Sequence, residues 1–260
     1  MRTDSTLLEA SGLTVRFGGL TAVNSLALSV GPNEVVGLIG PNGAGKTTVL
    51  NALSRLVPSS ADALGFREHD LLRHRADQLC DLGIARTFQT PQIIGHLTIA
   101  ENVTLGGFKR APYGFLAAAL GTRACRDAER RLRELAMEKL ALCGVSAWAE
   151  REASAVPYGV LKLTEIARAL MSDPQLLLLD EPVAGTTQEE RADIRRVLTE
   201  ISSTLNCSVL VIDHDVDFIA GLCTRVNVMN FGRKIAEGTP DHVVSDPDVR
   251  EAYLGAEDDD

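Results

Sequence analysis

Hydrophobic positions along the chain form short apolar runs separated by amphipathic helical stretches. In the first third, "LTVRFG", "NSLALSV" and "EVVGLIG" are typical of strands, interrupted at Gly19 and at the turn signal "GPNE". A helix is predicted from about Lys46 to Leu56, ahead of Pro58. Further strands are predicted at "GIARTFQ", "QLLLLD", "CSVLVID" and "RVNVMNFG", with helical patterns such as "TQEERADIRRVLTEISSTL" between them. This alternation indicates an α/β fold with a mostly parallel sheet covered on both faces.

The middle of the chain, from about Thr90 to Met171, has a different pattern, with no convincing strand. Its long stretch "RDAERRLRELAMEKLALCGV" is amphipathic at helical spacing. We therefore predict one domain over residues 1–260, with an α/β core at about 1–89 and 172–260 and a helical subdomain at about 90–171. The positions three or four apart that define the inward stripe, apolar except for the lysine, are Leu132, Leu135, Lys139, Leu140 and Cys143.

Composition excludes several classes of protein. With 26 basic and 35 acidic side chains, the net charge is −9, which argues against nucleic-acid binding through a basic surface. The 5 cysteines are odd in number and never spaced CxxC, which argues against a disulfide framework or a zinc site and suits a reducing cytosol. The longest apolar run, "GFLAAALG", is far shorter than the roughly 20 residues that span a bilayer.

A glycine-rich loop carries the strongest chemical signal. The stretch "GLIGPNGAGKTT" contains the pattern G-x-x-x-x-G-K-[ST] from Gly40 to Thr47, directly after a predicted strand and at the start of a predicted helix. In this context backbone N–H groups and the helix N-terminus point at phosphate oxygens. Lys46 is predicted to bridge the β- and γ-phosphates, and the Thr47 hydroxyl to bind Mg²⁺.

Two adjacent carboxylates end the apolar run "LLLLDEP". Asp180 and Glu181 follow a strand with no polar residue, and the carboxyl ends of such strands line the crevice where α/β proteins hold ligands. Beside a phosphate loop, Asp180 is predicted to orient the Mg²⁺ shell. Glu181 is predicted to act as the general base that polarises the attacking water.

Taken together, these motifs resemble the ATP-binding subunit of an ABC transporter, in family order from Leu8 to Gly255. The resemblance implies a P-loop ATPase core with an N-terminal antiparallel β subdomain and an inserted α-helical subdomain. It also implies that Gln89 in "RTFQ" contacts Mg²⁺ and the membrane subunit, and that His214 in "VIDHD" contacts the γ-phosphate. Phe17 in "VRFGG" resembles the aromatic residue that stacks on adenine.

The resemblance, combined with the motifs, predicts the residues of an ATP and Mg²⁺ site. The predicted catalytic residues are Glu181, His214 and Gln89, and the predicted metal ligands are Thr47, Gln89 and Asp180. The predicted nucleotide-binding residues are Phe17, Asn42, Gly43, Ala44, Gly45, Lys46, Thr47, Thr48 and Gly159.

Within the family, several stretches resemble the branched-chain amino acid importers: "RFGGLTAVN", "ARTFQ" followed by "LTIAENV", a long insertion after Gly106, and the ending "GTPDHVVSDPDVREAYLG". Such subunits act at the cytoplasmic face of the membrane on membrane-spanning permease subunits, usually as one of two different ATPases. The lipopolysaccharide-export ATPases share the C-terminal pattern but generally lack so long an insertion. The transported solute stays open, with urea, amides and other small polar solutes as alternatives to amino acids.

The signature helix departs from the resembled class, which reads L-S-Y-G-Q where this chain reads "VPYGV". Pro157 replaces the serine that binds the γ-phosphate held by the other subunit, and Val160 replaces the glutamine. In the loop that couples the two sites, Thr187 replaces an asparagine. These changes affect only what the chain offers to a partner's ATP, so we predict a heterodimer with a second ATPase in preference to a homodimer.

The motifs also bear on two further classes of function. The altered signature favours an ATP-binding regulatory switch with little hydrolysis, whereas Glu181 and His214 favour a transport ATPase. A translation or DNA-repair ATPase is disfavoured, because those usually carry two fused cassettes or a long coiled-coil insertion.

Overall fold

The longest apolar runs of the sequence become the central strands of a six-stranded sheet in the computed structural model, which describes residues 6–110 and 123–254. The order in this sheet is β10-β9-β3-β8-β7-β6, in which every neighbouring pair is parallel except β9 and β10. Every residue of β3, β7 and β8 is buried, as expected for parallel strands covered on both faces. The strands are β1 (Leu8–Phe17), β2 (Leu20–Val30), β3 (Val35–Ile39), β4 (Ala63–Phe66), β5 (His69–Asp70), β6 (Ile84–Arg86), β7 (Leu176–Asp180), β8 (Ser208–Ile212), β9 (Arg225–Asn230) and β10 (Arg233–Gly238).

An antiparallel sheet, in the order β2-β1-β4-β5, is built from the N-terminal part of the chain. Strands β1 and β2 form a long hairpin that pairs Leu8 with Val30 at one end and Phe17 with Leu20 at the other. The alternating apolar positions of both strands are buried, because a half-exposed antiparallel strand turns every second side chain inward. The predicted α/β class, with an antiparallel N-terminal sheet beside a mostly parallel one, is confirmed.

The described part of the chain divides into two compact units. The first comprises Met1–Gln89, Gln175–Ala184 and Leu198–Asp260, as far as these are described, and holds all ten named strands. The second comprises Thr90–Pro174 and Gly185–Val197 and is helical in its described residues. The helices of the two units are α1 (Lys46–Leu53), α2 (Leu79–Leu82), α3 (Ile99–Leu105), α4 (Arg123–Leu142), α5 (Tyr158–Leu170), α6 (Gln188–Thr204), α7 (Val216–Ala220), α8 (Pro240–Ser245) and α9 (Pro247–Leu254).

In the second unit, side-chain hydrogen bonds fix the start of α3 and the loop that precedes it. Thr98 caps this helix and forms a capping box with Glu101, whose carboxylate accepts the Thr98 backbone N–H at 2.8 Å. Asn102, which is fully buried, exchanges hydrogen bonds with the backbone of Ile94 at 2.8 and 3.0 Å. The stretch "LTIAENV" therefore encodes a helix start and the loop before it.

The amphipathic stripe of the helical unit lies on α4, apart from Cys143, which directly follows the helix. Leu132, Leu140 and Cys143 are buried, and Leu135 is half-buried. Ala136, which the pattern did not single out, is fully buried on the same helix. The stripe thus faces the interior of the unit, as its spacing predicts.

Several element boundaries differ from the predictions. Helix α1 ends at Leu53 instead of about Leu56, because the chain turns at Arg55, which has a φ of 58°. Strand β6 contains only three of the seven predicted residues, because it lies at the sheet edge and pairs only with β7. Strands β4, β5 and β10 were not predicted. Their short or charged sequences become strands only because a partner strand is present.

The helices in the described residues include none that is both long and apolar enough to cross a membrane. The apolar run "GFLAAALG" lies outside the described residues.

Candidate active site

The glycine-rich loop connects β3 to α1 and packs against its neighbours too closely for side chains at two positions. A Cβ on Gly40 would lie 2.1 Å from the Met229 carbonyl oxygen, and one on Gly45 would lie 2.5 Å from the Ala22 carbonyl oxygen. Both glycines also have a positive φ, of 148° and 98°. Only glycine combines a positive φ with the absence of a Cβ, so both positions require it. Gly45 is also the N-cap residue of α1, so the N-terminus of this helix opens into the loop.

Lys46, the first residue of α1, is buried beneath this loop. Its ammonium donates hydrogen bonds to the carbonyl oxygens of Gly40 at 2.7 Å and Pro41 at 2.9 Å. Burial lowers the pKa of Lys46, and the carboxylates of Glu181, Asp180 and Asp213 oppose that shift. A cation held in this way, next to backbone N–H groups, provides an attractive site for an anionic phosphate chain.

Asp180 is at the carboxyl end of β7 and is held from two sides. Its Oδ1 accepts a long hydrogen bond from the Thr47 hydroxyl at 3.5 Å, and its Oδ2 pairs with Arg86 at 3.1 Å. The Arg86 guanidinium also donates to the Ser54 hydroxyl at 2.5 Å. Burial raises the pKa of Asp180, and Arg86 counteracts that rise. The carboxylate is therefore kept paired and oriented toward the start of α1.

Two side chains lie close to the same carboxylate oxygen of Glu181. The Gln89 side-chain amide donates to Glu181 Oε2 at 2.9 Å, and His214 Nδ1 lies 3.8 Å from the same oxygen. Glu181 itself has a φ of 47°, in the left-handed region that non-glycine residues rarely adopt. Its backbone N–H donates to the Ile212 carbonyl of β8 at 2.8 Å. Gln89 and His214, from two other segments of the chain, thus meet at the Glu181 carboxylate.

Asp213, at the end of β8, shapes the loop that carries His214. Its buried carboxylate accepts backbone N–H groups from His214 at 2.8 Å, Asp215 at 3.0 Å and Val183 at 3.4 Å. Burial raises the pKa of Asp213, and these N–H groups oppose the rise. The carboxylate thereby ties the His214 loop to the segment that follows Glu181.

The first unit brings together Lys46, Thr47, Gln89, Asp180, Glu181 and His214. Phe17 is at the end of β1 with 47% of its surface exposed, so its ring is accessible to a ligand. Gly159 lies in the second unit, at the second residue of α5. The other predicted nucleotide-binding residues lie in the loop or at the start of α1 and are Asn42, Gly43, Ala44, Gly45 and Thr48.

Sequence reasoning missed three side chains of this site. Arg86, Ser54 and Asp213 received no role, although "ARTFQ" and "VIDHD" contain two of them. Two signals in the sequence could have indicated them: an arginine two residues into a short strand, and an aspartate at the end of an apolar strand. Their partners could not be read from the sequence, because Arg86 and Asp180 are 94 positions apart.

Replacing Arg86 with methionine is expected to lower the free energy of unfolding by about 3–5 kcal/mol, because it leaves the buried Asp180 carboxylate without its ion pair. The side chains of this pair are only 8% and 3% exposed. Urea unfolding followed by circular dichroism measures the change. Arg75→Met is the matched control, since Arg75 pairs with Asp77 at the surface and its loss is expected to leave the urea midpoint unchanged. Equal effects of the two variants would contradict the prediction.

A loop of this geometry between a parallel strand and a helix, with a buried lysine and two carboxylates at the carboxyl end of β7, defines a P-loop nucleotide-binding ATPase. Residues 23–184 match the model of the family described as ABC transporter, and residues 233–259 match that described as branched-chain amino acid ATP-binding cassette transporter. The chain belongs to the ABC transporter family, as one of its ATP-hydrolysing, ATP-binding members.

Relatives match the chain nearly end to end. The high-affinity branched-chain amino acid transport ATP-binding protein LivG of Escherichia coli (strain K12) is 36% identical over 249 residues, which cover 96% of this chain and 98% of LivG. The probable branched-chain amino acid transport ATP-binding protein LivG of Methanocaldococcus jannaschii is 31% identical over 259 residues, which cover 98% of this chain and 100% of that protein.

Solved structures agree with the fold. A nucleotide-free ATP-binding cassette from an ABC transporter superposes with a TM-score of 0.83 at 30% identity, covering 95% of this chain and 98% of that one. The ADP conformation of an ATP-binding cassette of an ABC transporter gives a TM-score of 0.82 at 31% identity, covering 96% and 99%.

Proposed function

We propose that this chain hydrolyses ATP to power an importer of branched-chain amino acids, or of a similar small polar solute. It would act at the cytoplasmic face of the membrane, bound to membrane-spanning permease subunits. The observation that carries the proposal is the cluster of Gln89, Glu181 and His214 beside the buried Lys46. The names of the relatives, and the match of residues 233–259 to the branched-chain amino acid cassette model, support the choice of solute.

The reaction we propose is in-line attack of a water molecule on the γ-phosphorus of ATP. Glu181 accepts a proton from that water, the bond from the γ-phosphorus to the β–γ bridging oxygen breaks, and ADP and phosphate leave. Lys46 and the loop N–H groups hold the β- and γ-phosphates, and His214 contacts the γ-phosphate. The exposed ring of Phe17 would stack on adenine.

The donor set around Asp180 fits Mg²⁺ bound together with ATP. Thr47, Gln89 and Asp180 supply a hydroxyl, an amide oxygen and a carboxylate, all oxygen donors of the kind that Mg²⁺ prefers. Among the described residues there is no group of three His, Cys, Asp or Glu side chains that could hold a metal by itself. When bound, Mg²⁺ neutralises charge on the β- and γ-phosphate oxygens.

The start of α5 carries the altered signature, in which Pro157 replaces the serine of the resembled class. Pro157 is the N-cap residue of α5 and makes no side-chain capping hydrogen bond. The helix nevertheless forms, since the N–H groups of Val160 and Leu161 both donate to the Pro157 carbonyl, at 3.1 and 3.3 Å. The substitution therefore removes a ligand for phosphate while preserving the helix, which supports pairing with a second, different ATPase subunit.

Thr187 caps the start of α6 through reciprocal hydrogen bonds with Glu190. Its hydroxyl accepts the Glu190 backbone N–H at 3.3 Å, and the Glu190 carboxylate accepts the Thr187 N–H at 2.8 Å. These reciprocal bonds form a capping box at the start of α6. Any loss at Thr187 would therefore concern contacts with a partner subunit and not the helix start.

A regulatory switch that binds ATP with little hydrolysis is the second candidate, favoured by Pro157 in place of the signature serine. Turnover by the purified chain distinguishes the two. We expect slow Mg²⁺-dependent ATP hydrolysis by the chain alone. The double substitution Pro157→Ser and Val160→Gln is expected to raise the rate about tenfold or more, because it restores a donor to a charged phosphate.

Glu181→Gln provides the blank for this measurement. A restored chain that binds ATP but stays as slow as the unmodified one would favour the switch. Rapid turnover by the unmodified chain, with no gain on restoration, would mean that "VPYGV" works as a signature and that a homodimer suffices.

A further inference from the structure

The N-terminus of α5 receives its missing capping acceptor from another helix. The backbone N–H of Gly159, the second residue of α5, donates to Glu190 Oε1 at 3.1 Å. Pro157 has no side-chain group that could accept this N–H, and Glu190 lies on the first turn of α6. An acidic side chain thus takes the position at which the first turn of a helix binds an anion.

The Glu190 carboxylate connects two helix starts. Oε1 accepts the Gly159 N–H of α5, and Oε2 accepts the Thr187 N–H of α6 at 2.8 Å. The approach to α5 is so close that a Cβ on Gly159 would lie 2.2 Å from Oε1. A side chain at position 159 would therefore displace the Glu190 carboxylate from its present position.

We infer that Glu190 is an anionic gate on α5, which must withdraw from Gly159 before this helix can bind the γ-phosphate of a partner's ATP. The inference rests on the proposed function, in which the Gly159 end of α5 faces that phosphate. A carboxylate and a phosphate cannot share one N–H group, and their like charges repel at close range. Glu190 therefore competes with the γ-phosphate for the Gly159 N–H.

When this carboxylate withdraws from Gly159, it is expected to remain with α6. Because Oε2 is bonded to the Thr187 N–H, Glu190 stays with the start of α6 when Oε1 leaves Gly159. Phosphate binding at α5 would thus separate α5 from the segment "AGTTQ" that precedes α6. Glu190 acts through Gly159 and makes no contact with the reacting atoms, so it is a positioning residue that opposes formation of the composite site.

The test is MgATP-driven self-association of the full chain, measured by sedimentation velocity over a range of ATP concentrations. All variants carry Glu181→Gln so that bound ATP persists. Adding Glu190→Gln is expected to lower the ATP concentration for half-maximal association about tenfold, because the amide lacks the competing charge. Glu190→Ala should shift association in the same direction. Glu189→Gln, one residue away and exposed, is the matched control and should cause no shift.

The direction of the shift separates a gate from a structural role, since a residue that only stabilised α5 and α6 would weaken association when replaced. Weaker or unchanged association in both Glu190 variants, or no association in any variant that binds ATP, would overturn the gate. ATP binding by each variant is measured in parallel by isothermal titration calorimetry. Absence of ATP binding in all of them, the Glu181→Gln chain included, would instead contradict the proposed function.

Discussion

Replacing Glu181 with glutamine is expected to reduce steady-state ATP hydrolysis by about a thousandfold or more, while ATP binding changes by less than about twofold. Glutamine has nearly the same shape, but its amide cannot accept a proton from the attacking water. The site should stay assembled, because the glutamine amide oxygen can still accept the hydrogen bond that Gln89 donates to Glu181 at 2.9 Å. Phosphate release measures hydrolysis, and titration calorimetry measures ATP binding.

Glu189→Gln is a matched control for the Glu181 substitution, since it removes an exposed carboxylate elsewhere in the chain and should leave the rate unchanged. Hydrolysis that survived in Glu181→Gln would mean that another group accepts the proton. Loss of ATP binding together with hydrolysis would mean that Glu181 mainly organises the site, through Gln89 and His214.

Replacing Lys46 with alanine is expected to weaken ATP binding by about a hundredfold and to abolish detectable hydrolysis, because charge-assisted bonds to phosphate contribute roughly 1.5–3 kcal/mol each. In the free protein the ammonium also bonds to the carbonyls of Gly40 and Pro41, at 2.7 and 2.9 Å. Its loss removes that support from the loop and takes away one positive charge near the Asp180 and Glu181 carboxylates.

Lys139→Ala is the matched control for Lys46, because Lys139 pairs with Asp173 at 3.1 Å within the helical unit. Its ATP affinity should equal that of the unmodified chain. Circular dichroism checks that both variants are folded. If Lys46→Ala bound ATP normally and hydrolysed it, the phosphate-binding role of the loop would be wrong.

Prediction from the local sequence pattern succeeds for elements whose residues lie close together along the chain. The glycine-rich loop between β3 and α1 could be predicted, because its glycines, Lys46 and Thr47 are close together along the chain. Strands β3, β7 and β8 were predicted from apolar runs that only a doubly covered sheet accommodates. Edge strands such as β10, with sequence "RKIAEG", carry no such pattern.

The functional contacts that were missed involve residues far apart in sequence. Parallel pairing of β6 with β7 matches Arg86 to Leu178, two residues before Asp180, and so brings the guanidinium to the carboxylate. The Gly159 contact with Glu190 likewise depends on packing within the helical unit, across 31 positions. The hydrophobic pattern of a segment predicts its secondary structure but not which other segment will pack beside it.

The sequence by itself therefore determined the α/β class, the phosphate loop and the identities of the two strand-end carboxylates, because these depend on residues adjacent along the chain. Only the tertiary structure decided that Arg86 pairs with Asp180, that Gln89 and His214 meet at Glu181, and that Glu190 bonds to Gly159. The physical reason is that strand order and helix packing, set by burial of the whole core, choose the neighbours of each polar side chain.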